Sequence, residues 1–255
     1  TISNNYISRN AGFSGAGGGL SICNGSDDYR INNNFICGNF TQQDGAGIAH
    51  YGLSNNGEIA DNTIIFNENF NQGVTINGGG ISISGNAPLG CPIDPNTGLP
   101  DPVCQADPTQ VLTPGAGSVQ ILRNLIQGNS AGVGDGAGIR LSRINGQDVA
   151  AAPATPANWY QVNIINNMIF NNVAALAGGG ISVQDALRTR ILFNSIANND
   201  NTSTGSEAFT PGNPSESNPL AGSGVVSRVH SLELSQFLPG GEAAFSDLEM
   251  QNNII

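Results

Sequence analysis

The sequence offers one pair of residues with the chemistry of a catalytic site, the carboxylate of Asp61 and the guanidinium of Arg123. Each directly precedes an Asn, in segments that read D-N-T-I-I and R-N-L-I-Q. If these segments stack, the two side chains become neighbours on adjacent strands, where they could support acid–base chemistry. An exposed Asp–Arg contact is also an ordinary surface ion pair, worth less than about 1 kcal/mol. The sequence leaves both interpretations open.

A Pro-rich segment carries the residues that could bind a metal ion. Asp94, Asn96 and Asp101 place carboxylate and amide oxygens along a turn-forming stretch between Cys91 and Cys104. Hard Ca²⁺ prefers such oxygens, so these three residues are the calcium candidates, and calcium is the only cofactor that the sequence suggests. The prolines interrupt the usual ligand spacing and no Glu closes the loop. This favours the alternative, a structural loop without metal.

The cysteines predict one disulfide. Cys91 and Cys104 flank the Pro-rich loop, and a bridge across so short a segment is typical of an oxidising compartment. Cys23 and Cys37 occupy different positions of the repeating pattern and are expected to remain thiols. The sequence therefore indicates an extracellular or cell-surface protein.

Histidines are too few to build a transition-metal site. His50 falls in a column of inward-facing aliphatic residues that includes Ile83 and Leu141, which predicts a hydrogen-bonded core histidine. His230 stands alone in an insertion. Two separated histidines without clustered cysteines cannot provide a zinc or copper site.

All these residues lie within a pattern that repeats from one end of the chain to the other. Each unit reads I-x-x-N-x-I-x-x-N, followed by G-x-G and an aliphatic pair, with strand and turn chemistry and no helical period. Aligning the units gives three aliphatic columns that we expect to stack in register as the core. Their members are Ile2, Ile31, Ile59, Ile121, Ile164 and Ile191; Ile7, Ile36, Ile64, Ile126, Ile169 and Ile196; and Leu20, Ile48, Ile81, Ile139, Ile181 and Val225.

Asn forms two further columns in the same alignment. An Asn side chain tolerates a left-handed turn conformation and can pass an amide hydrogen bond to the same residue of the next unit. We therefore predict two structural asparagine ladders. The first contains Asn5, Asn34, Asn62, Asn124, Asn167, Asn194 and Asn253, and the second contains Asn10, Asn39, Asn67, Asn129, Asn172 and Asn199.

The G-x-G triplets are predicted to be corner glycines with positive φ. A phosphate-binding loop would require a helix after the glycines, whereas here each triplet leads into another strand. The outward positions that follow the triplets contain no cluster of carboxylates with Arg. They are Ser21, Ala49, Ser82, Arg140, Ser182 and Val226.

With these columns and ladders, the chain resembles the right-handed parallel β-helix repeat family, the fold of pectate-lyase-like enzymes and of many large bacterial surface proteins. The resemblance implies an all-β, single-stranded solenoid over residues 1–255, with about six coils at 1–27, 28–56, 57–116, 117–158, 159–187 and 188–247. Because both ends of the sequence fall inside a repeat, we expect it to be a fragment of a longer chain. The motif is specific for fold and unspecific for function.

Four insertions interrupt the predicted coils, at about 85–116, 142–158, 200–221 and 229–247. Three of them follow the strand after G-x-G and should therefore gather on one side of the solenoid, where repeat proteins often place binding surfaces. Outward apolar residues such as Ile165, Phe170 and Leu192 predict a face that is covered, preferably by these insertions and otherwise by another domain.

Charge excludes further classes of partner. The chain has eight Arg and no Lys against nineteen carboxylates, for a formal charge of −11, so it lacks the basic stripe that nucleic acid requires. It also has no apolar stretch long enough to span a membrane.

Three hypotheses for function remain. The first is a structural or interaction segment of a large secreted or cell-surface bacterial protein, whose partners are neighbouring domains or subunits. The second is a carbohydrate-active β-helix enzyme acting on polysaccharide as a lyase, hydrolase or epimerase. The third is an accessory domain of a larger extracellular redox enzyme. Because no matching catalytic cluster is found, the sequence favours the first.

Overall fold

Parallel β-sheets dominate the fold. The computed structural model describes residues 1–88, 90–95, 97–204 and 222–255. Its strands form four sheets, and within each sheet one strand from every repeat pairs in parallel with the equivalent strands of the repeats before and after it. The described helices are all short. The molecule is therefore mostly β, as expected for a parallel solenoid.

The first sheet is built on the first Ile column. Ile31 pairs with Ile2 and Ile59, and the same register continues to the pair of Ile191 with Met250. Its strands are β1 (Ile2–Ser3), β5 (Arg30–Asn32), β9 (Gly57–Ala60), β13 (Val119–Leu122), β17 (Gln161–Ile165), β21 (Arg188–Leu192) and β25 (Glu249–Gln251).

The second sheet follows the first asparagine ladder and is built on the second Ile column. Ile126 pairs with Ile64 on one side and with Ile169 on the other. Its strands are β2 (Tyr6–Ser8), β6 (Phe35–Cys37), β10 (Thr63–Ile65), β14 (Leu125–Gln127), β18 (Met168–Phe170) and β22 (Ser195–Ala197).

The third sheet was not predicted. Its two-residue strands lie between the second ladder and the glycine triplets, and their inward residues are small or polar, such as Thr41 and Ala131. Such short strands leave no aliphatic column to recognise in the sequence. They are β3 (Ala11–Gly12), β7 (Phe40–Thr41), β11 (Glu68–Asn69), β15 (Ser130–Ala131), β19 (Val173–Ala174) and β23 (Asp200–Asn201).

The fourth sheet follows the glycine triplets and holds the third aliphatic column. Ile81 pairs with Ile48 and with Ile139, in the predicted register. Its strands are β4 (Leu20–Cys23), β8 (Ile48–Tyr51), β12 (Ile81–Ser84), β16 (Ile139–Ser142), β20 (Ile181–Val183) and β24 (Val225–Ser227).

Inward side chains from the first, second and fourth sheets meet in one core. Ile59, Ile126 and Ile139, one from each sheet, are completely buried. Burying a large aliphatic side chain is worth about 1.5–3 kcal/mol, so the stacked columns supply the main stabilisation of the fold. The three predicted columns are thus confirmed as the core.

Both asparagine ladders are present. At each step the backbone N–H and the Nδ2 amide of one Asn donate to Oδ1 of the next, as from Asn124 to Asn167 at 2.9 and 3.0 Å. The Asn167 amide also donates to the backbone carbonyl of Ile121 in the preceding repeat. Each buried ladder Asn is therefore held by backbone and side-chain hydrogen bonds at once, which makes the ladders structural.

The left-handed corner residue is the one before each ladder Asn, and not the ladder Asn itself as predicted. It has φ near +55° whatever its type: Asn166, Arg123 and even Phe193 adopt it. Such a conformation costs a non-glycine residue roughly 1–2 kcal/mol. The following Asn can make its two-way hydrogen bonds only if the chain turns here, which offsets that cost.

The prediction of positive φ holds for only the first glycine of the first five triplets, as in Gly136 at +64°, and not for Gly222. The third glycine is required for a different reason. A Cβ atom on Gly138 would lie 2.5 Å from the carbonyl oxygen of Gly180 and 3.2 Å from Nδ2 of Asn172. Its absence lets the chain pass closely beneath the second ladder.

The insertions at 85–116, 142–158 and 229–247 all connect the fourth sheet to the first, and together they are called the insertion layer here. They contain helices α1 (Pro102–Gln105), α2 (Gln147–Ala151) and α3 (Leu232–Ser235) and the 3₁₀ turns Pro108–Val111 and Pro156–Asn158. Val149 and the adjoining Trp159 pack on Leu234 in a small core separate from that of the solenoid. The insertions therefore fold onto one another, as their common exit point predicts. The remaining insertion is the one at 200–221. Most of it, residues 205–221, lies outside the described part of the chain.

Candidate functional site

Polar and charged side chains collect on the outward face of the fourth sheet. Sequence reasoning found nothing of interest in this column, yet Ser82, Arg140 and Ser182 are all at least 95 % buried. The alternation of the strand points them away from the core, and loops from neighbouring repeats then cover them. This covered face is the candidate functional site.

Arg140 lies at the centre of this face. Its guanidinium donates to Oγ of Ser182 at 2.7 Å and to Oε1 of Gln184 at 2.8 Å, and it lies 3.4 Å from a carboxylate oxygen of Asp135. Burial lowers the pKa of Arg140, and the charge of Asp135 opposes that shift. A buried guanidinium is tolerated here because it is paired and hydrogen-bonded on several sides.

Asp135 joins Arg140 to a second cation. The Nη2 atom of Arg228 donates to Asp135 Oδ1 at 2.7 Å, and Asp135 is 4 % exposed. Arg228 follows the last strand of the fourth sheet, whereas Asp135 precedes the glycine triplet two repeats earlier. One carboxylate therefore holds two arginines and ties the sixth repeat to the fourth.

Asp44 occupies the same position as Asp135, two repeats earlier, with Asn77 between them. Its carboxylate accepts a hydrogen bond from the backbone N–H of Asn77 at 2.6 Å, and Oδ1 of Asn77 accepts from the N–H of Asp135 at 2.9 Å. Burial raises the pKa of Asp44, although the Asn77 N–H and then Arg140 and Arg143 favour its charged form.

Asp185 closes the other side of the face. It has a left-handed φ of 52°, as does the equivalent Arg143 at 51°, which turns both residues out of the sheet. The Asp185 carboxylate accepts from the N–H of Ser231 at 2.8 Å and lies 3.2 Å from Nδ1 of His230. His230 was expected to stand alone in its insertion. In the structure it is buried and anchors that insertion to the fourth sheet.

These groups surround a polar cleft of about 310 Å³. Its floor is formed by outward residues of the fourth sheet and its walls by the 70–77 loop and by Ser231. Every lining residue is polar or charged: Asp44, Thr75, Asn77, Ser84, Arg140, Ser142, Arg143, Gln184, Asp185 and Ser231. A cleft without an apolar wall suits a ligand that makes many hydrogen bonds.

A second, less polar hollow of about 490 Å³ adjoins the cleft. The two share Asp44 and Thr75 as a common wall. The hollow lies over the first repeats and is lined by Tyr51, Val74 and Ile76. Tyr51 projects outward from the fourth sheet and is 45 % exposed, so its ring is accessible.

The predicted catalytic candidates lie elsewhere. Arg123 binds Asp61 through two hydrogen bonds of 2.8 Å at the corner between the first and second sheets. The hydrogen bond from Arg123 lowers the pKa of Asp61, and both side chains are more than a third exposed. Neither residue lines the polar cleft. The geometry is that of a bidentate surface ion pair.

The calcium candidates lie in the loop that the disulfide closes, and calcium binding there stays a prediction. Asp101 caps helix α1, because its carboxylate accepts from the N–H groups of Val103 and Cys104. Asp94 shapes the turn with its backbone, while Asn96 lies outside the described residues. Within the described residues no group of three or more His, Cys, Asp or Glu side chains could hold a metal ion.

The cysteine pairing matches the prediction. Cys91 and Cys104 form a disulfide with a Cα–Cα distance of 5.6 Å, which closes the Pro-rich loop. Cys23 is an exposed thiol and Cys37 a partly buried one.

His50 is the buried core histidine that its column predicts. The Tyr29 hydroxyl lies 2.9 Å from Nδ1, and the Nε2 atom lies 2.8 Å from the carbonyl of Gly52 and 3.0 Å from that of Ala116. Two carbonyl neighbours require Nε2 to carry the proton, so Nδ1 accepts from Tyr29. Burial lowers the pKa of His50, and the two carbonyls oppose the shift. The ring thereby ties the returning end of the first insertion to the core.

Comparison with protein-family models, with curated proteins and with solved structures finds no match. Among the described residues, no helix is long and apolar enough to cross a membrane.

One signal in the sequence could have located the polar cleft. Arg140 interrupts an outward column of small residues, and Asp44 and Asp135 stand at equivalent positions before their glycine triplets. Aligned by repeat, these positions bring both carboxylates to the edge of the sheet that carries Arg140. The contribution of Arg228 and Asp185 depends on the path of an insertion, which the repeat does not specify.

Proposed function

We propose that this chain is a right-handed parallel β-helix segment of a large secreted or cell-surface bacterial protein. Its task is to contact neighbouring modules of that protein through the insertion layer. The observation that supports this proposal is that the insertion layer is folded, and yet exposes large apolar side chains. The right hand is expected because crossover connections between parallel strands are almost always right-handed.

The insertion layer carries large apolar side chains on its surface. Seven of its large hydrophobic side chains are exposed, namely Ile93, Leu99, Val103, Val111, Val229, Leu232 and Phe245. Flexible loops would carry polar residues at such positions. Apolar side chains held on a folded surface are typical of a protein–protein contact.

The layer also has the rigidity that a contact surface needs. The disulfide between Cys91 and Cys104 closes the first insertion, and the N–H of Gln147 donates to the carbonyl of Thr113 across two insertions at 2.9 Å. A surface ordered before binding loses less conformational entropy when a partner docks. The disulfide also supports the proposed extracellular location.

Cross-linking within the intact parent protein tests the proposal. The chain has no Lys, so the cross-linker must couple carboxylates, which the layer offers at Asp107, Glu233 and Glu242. We expect cross-links from these residues to neighbouring modules, and none from the exposed Glu68 on the third sheet.

A double variant, Val103→Ser with Leu232→Ser, should reduce these cross-links because it removes two exposed side chains from the proposed contact. The matched control is Tyr6→Ser, which removes an equally exposed ring from the second sheet. Cross-links that arise from Glu68 alone, or that the double variant leaves unchanged, would contradict the proposal.

A further inference from the structure

The polar cleft contains hydrogen-bond donors that have no partner. The carboxylates of Asp44 and Asp185 already accept backbone N–H groups. In contrast, the Nε atom of Arg140 is buried without a hydrogen-bond partner, and the exposed Arg143 has no ion-pair or hydrogen-bond partner for its guanidinium. A ligand that pairs with these donors must supply oxygen acceptors.

Charge points the same way. Three of the eight arginines in this acidic chain, Arg140, Arg143 and Arg228, converge on or beside the cleft. Asp135 balances one of the two arginines that it contacts. Asp44 lines the same cleft, and burial raises its pKa. The three arginines thus face three carboxylates, those of Asp44, Asp135 and Asp185, and Arg143 is the one of the three arginines without a carboxylate of the described residues at ion-pair distance.

The adjoining hollow adds a different requirement. Tyr51, Val74 and Ile76 offer apolar surface beyond the common wall of Asp44 and Thr75. A ligand that used both cavities would place an anionic group in the polar cleft and an apolar part against Tyr51. Guanidinium groups suit carboxylates and other planar or tetrahedral oxyanions, which they bind with paired N–H donors.

We propose that the cleft and the hollow form one binding site for an organic anion, whose oxyanion group binds Arg143 above the Arg140 floor and whose apolar body packs on Tyr51. Ser231 of the insertion layer lines the cleft, but none of the seven exposed hydrophobic residues of the layer lines the cleft or the hollow. The carboxylate is the simplest oxyanion with which to test it.

Calorimetry on the full chain with four probes distinguishes the parts of the proposal. We expect 3-phenylpropionate to bind most tightly. Its neutral amide should bind more weakly because it lacks the charge, and propionate should bind more weakly because it lacks the apolar body. Galacturonate offers a carboxylate on a hydroxylated ring. If galacturonate binds more tightly than 3-phenylpropionate, the site is one for acidic sugars and the proposal is wrong.

Two pairs of variants test the residues. Arg143→Gln should weaken binding of 3-phenylpropionate by about tenfold or more, because it removes a charged hydrogen-bonding group. Its control is Arg9→Gln, since Arg9 is another exposed arginine with a left-handed φ, at 57°, on a different corner. Tyr51→Ala should weaken binding, whereas Tyr6→Ala should not.

Melting curves of the four variants show whether each one folds. Equal binding of the acid and its amide, unchanged affinity in a folded Arg143→Gln variant, or no binding of 3-phenylpropionate at millimolar concentration would each overturn the proposal. A negative binding result would leave the expected cross-links of the insertion layer unchanged, so the two proposals are tested separately.

Discussion

The second and fourth sheets come from the same repeat and have the same strand alternation, yet the outward faces of their middle repeats differ in exposure. On the second sheet the outward residues Tyr6 and Met168 are 72 % and 51 % exposed. On the fourth sheet Arg140 and Ser182 point outward as well and are buried. The strand decides which side chains leave the core, but the loops of other repeats decide whether those side chains meet water.

This difference separates two kinds of stabilisation. The second sheet depends on its inward Ile column and on the ladders beside it, so its outward positions are free to vary. The fourth sheet carries a second layer of polar contacts, in which each buried group needs a partner because an unpaired buried charge costs several kcal/mol. Substitutions that remove one partner at a time should therefore lower stability more on the fourth sheet than on the outward face of the second.

The largest effect is expected from a charge placed in the shared core. Ile126→Asp puts a carboxylate between Ile64 and Ile169, at a position with no solvent exposure. No cation is within the column to pair with it, so we expect a loss of several kcal/mol and unfolding of the neighbouring repeats. Circular dichroism during thermal unfolding measures the change.

The neighbouring residue provides the control for this substitution. Gln127→Asp introduces the same charge on the outward side of the same strand, where the side chain is partly exposed. Its melting temperature should stay close to that of the parent chain. Equal losses at the two positions would mean that inward and outward sides are wrongly assigned.

The next effect concerns the polar layer of the fourth sheet. Asp135→Asn removes the charge that balances Arg140 and Arg228, and Arg140 has only 6 % of its side chain exposed. Leaving a buried cation unpaired is expected to cost about 3–5 kcal/mol. Urea unfolding monitored by fluorescence of the single Trp, Trp159, gives the free energy directly.

Asp61→Asn is the matched control, since it breaks an Asp–Arg pair that is exposed. Arg123 then returns to water, so the expected loss is under about 1 kcal/mol. A similar loss for Asp61→Asn and Asp135→Asn would show that the fourth-sheet network is no more important than a surface ion pair.

The uniform parts of the fold were predictable because identical residues stack on themselves. The first, second and fourth sheets, their register, both ladders and the exit point of the insertions all follow from columns in the sequence. The left-handed corner was misplaced by one residue because Asn is common at both positions. At Phe193 the ladder imposes on an aromatic residue a conformation that its own preference disfavours.

The candidate site was largely hidden for the opposite reason. Its residues differ from the other members of their columns, as Arg140 differs from the small residues around it. A repeat alignment detects what the members of a column share and misses such single differences. Partners such as Arg228 and His230 arrive from an insertion whose path depends on tertiary packing. Only the pair of Asp44 and Asp135 stood at equivalent positions where the pattern alone could bring them near Arg140.

A smaller effect is expected at the first asparagine ladder, which lies between the first and second sheets. Asn167→Ala removes the hydrogen bonds to Asn194 and to the carbonyl of Ile121, and leaves Asn124 without its acceptor. Unsatisfied buried groups should lower the free energy of unfolding by roughly 1–3 kcal/mol. The same change at the exposed Asn158, outside the ladders, should cost little. A ladder loss no larger than that at Asn158 would argue against structural ladders.

The smallest effect tests the one buried histidine on the inward side of the fourth sheet. His50 has an ordinary pKa of about 6.5 in the unfolded chain, and burial lowers it in the folded protein. Below pH 6.5 the unfolded chain therefore binds a proton that the folded protein does not. Stability should fall as the pH drops from about 7 towards 5, by at most about 1.4 kcal/mol per pH unit, the limit for one proton.

His50→Gln isolates this contribution, because a Gln amide can replace the ring as donor and acceptor and does not titrate. The variant is expected to be less stable at neutral pH, since it packs less well beside Tyr29, but its stability should vary less between pH 7 and pH 5. The informative quantity is the difference between the two pH profiles from urea unfolding, in which the contributions of the carboxylates cancel. Parallel profiles would show that His50 takes up a proton in the folded protein as readily as in the unfolded chain. In that case its contacts with Gly52 and Ala116 could not be the buried, neutral hydrogen bonds that tie the first insertion to the core.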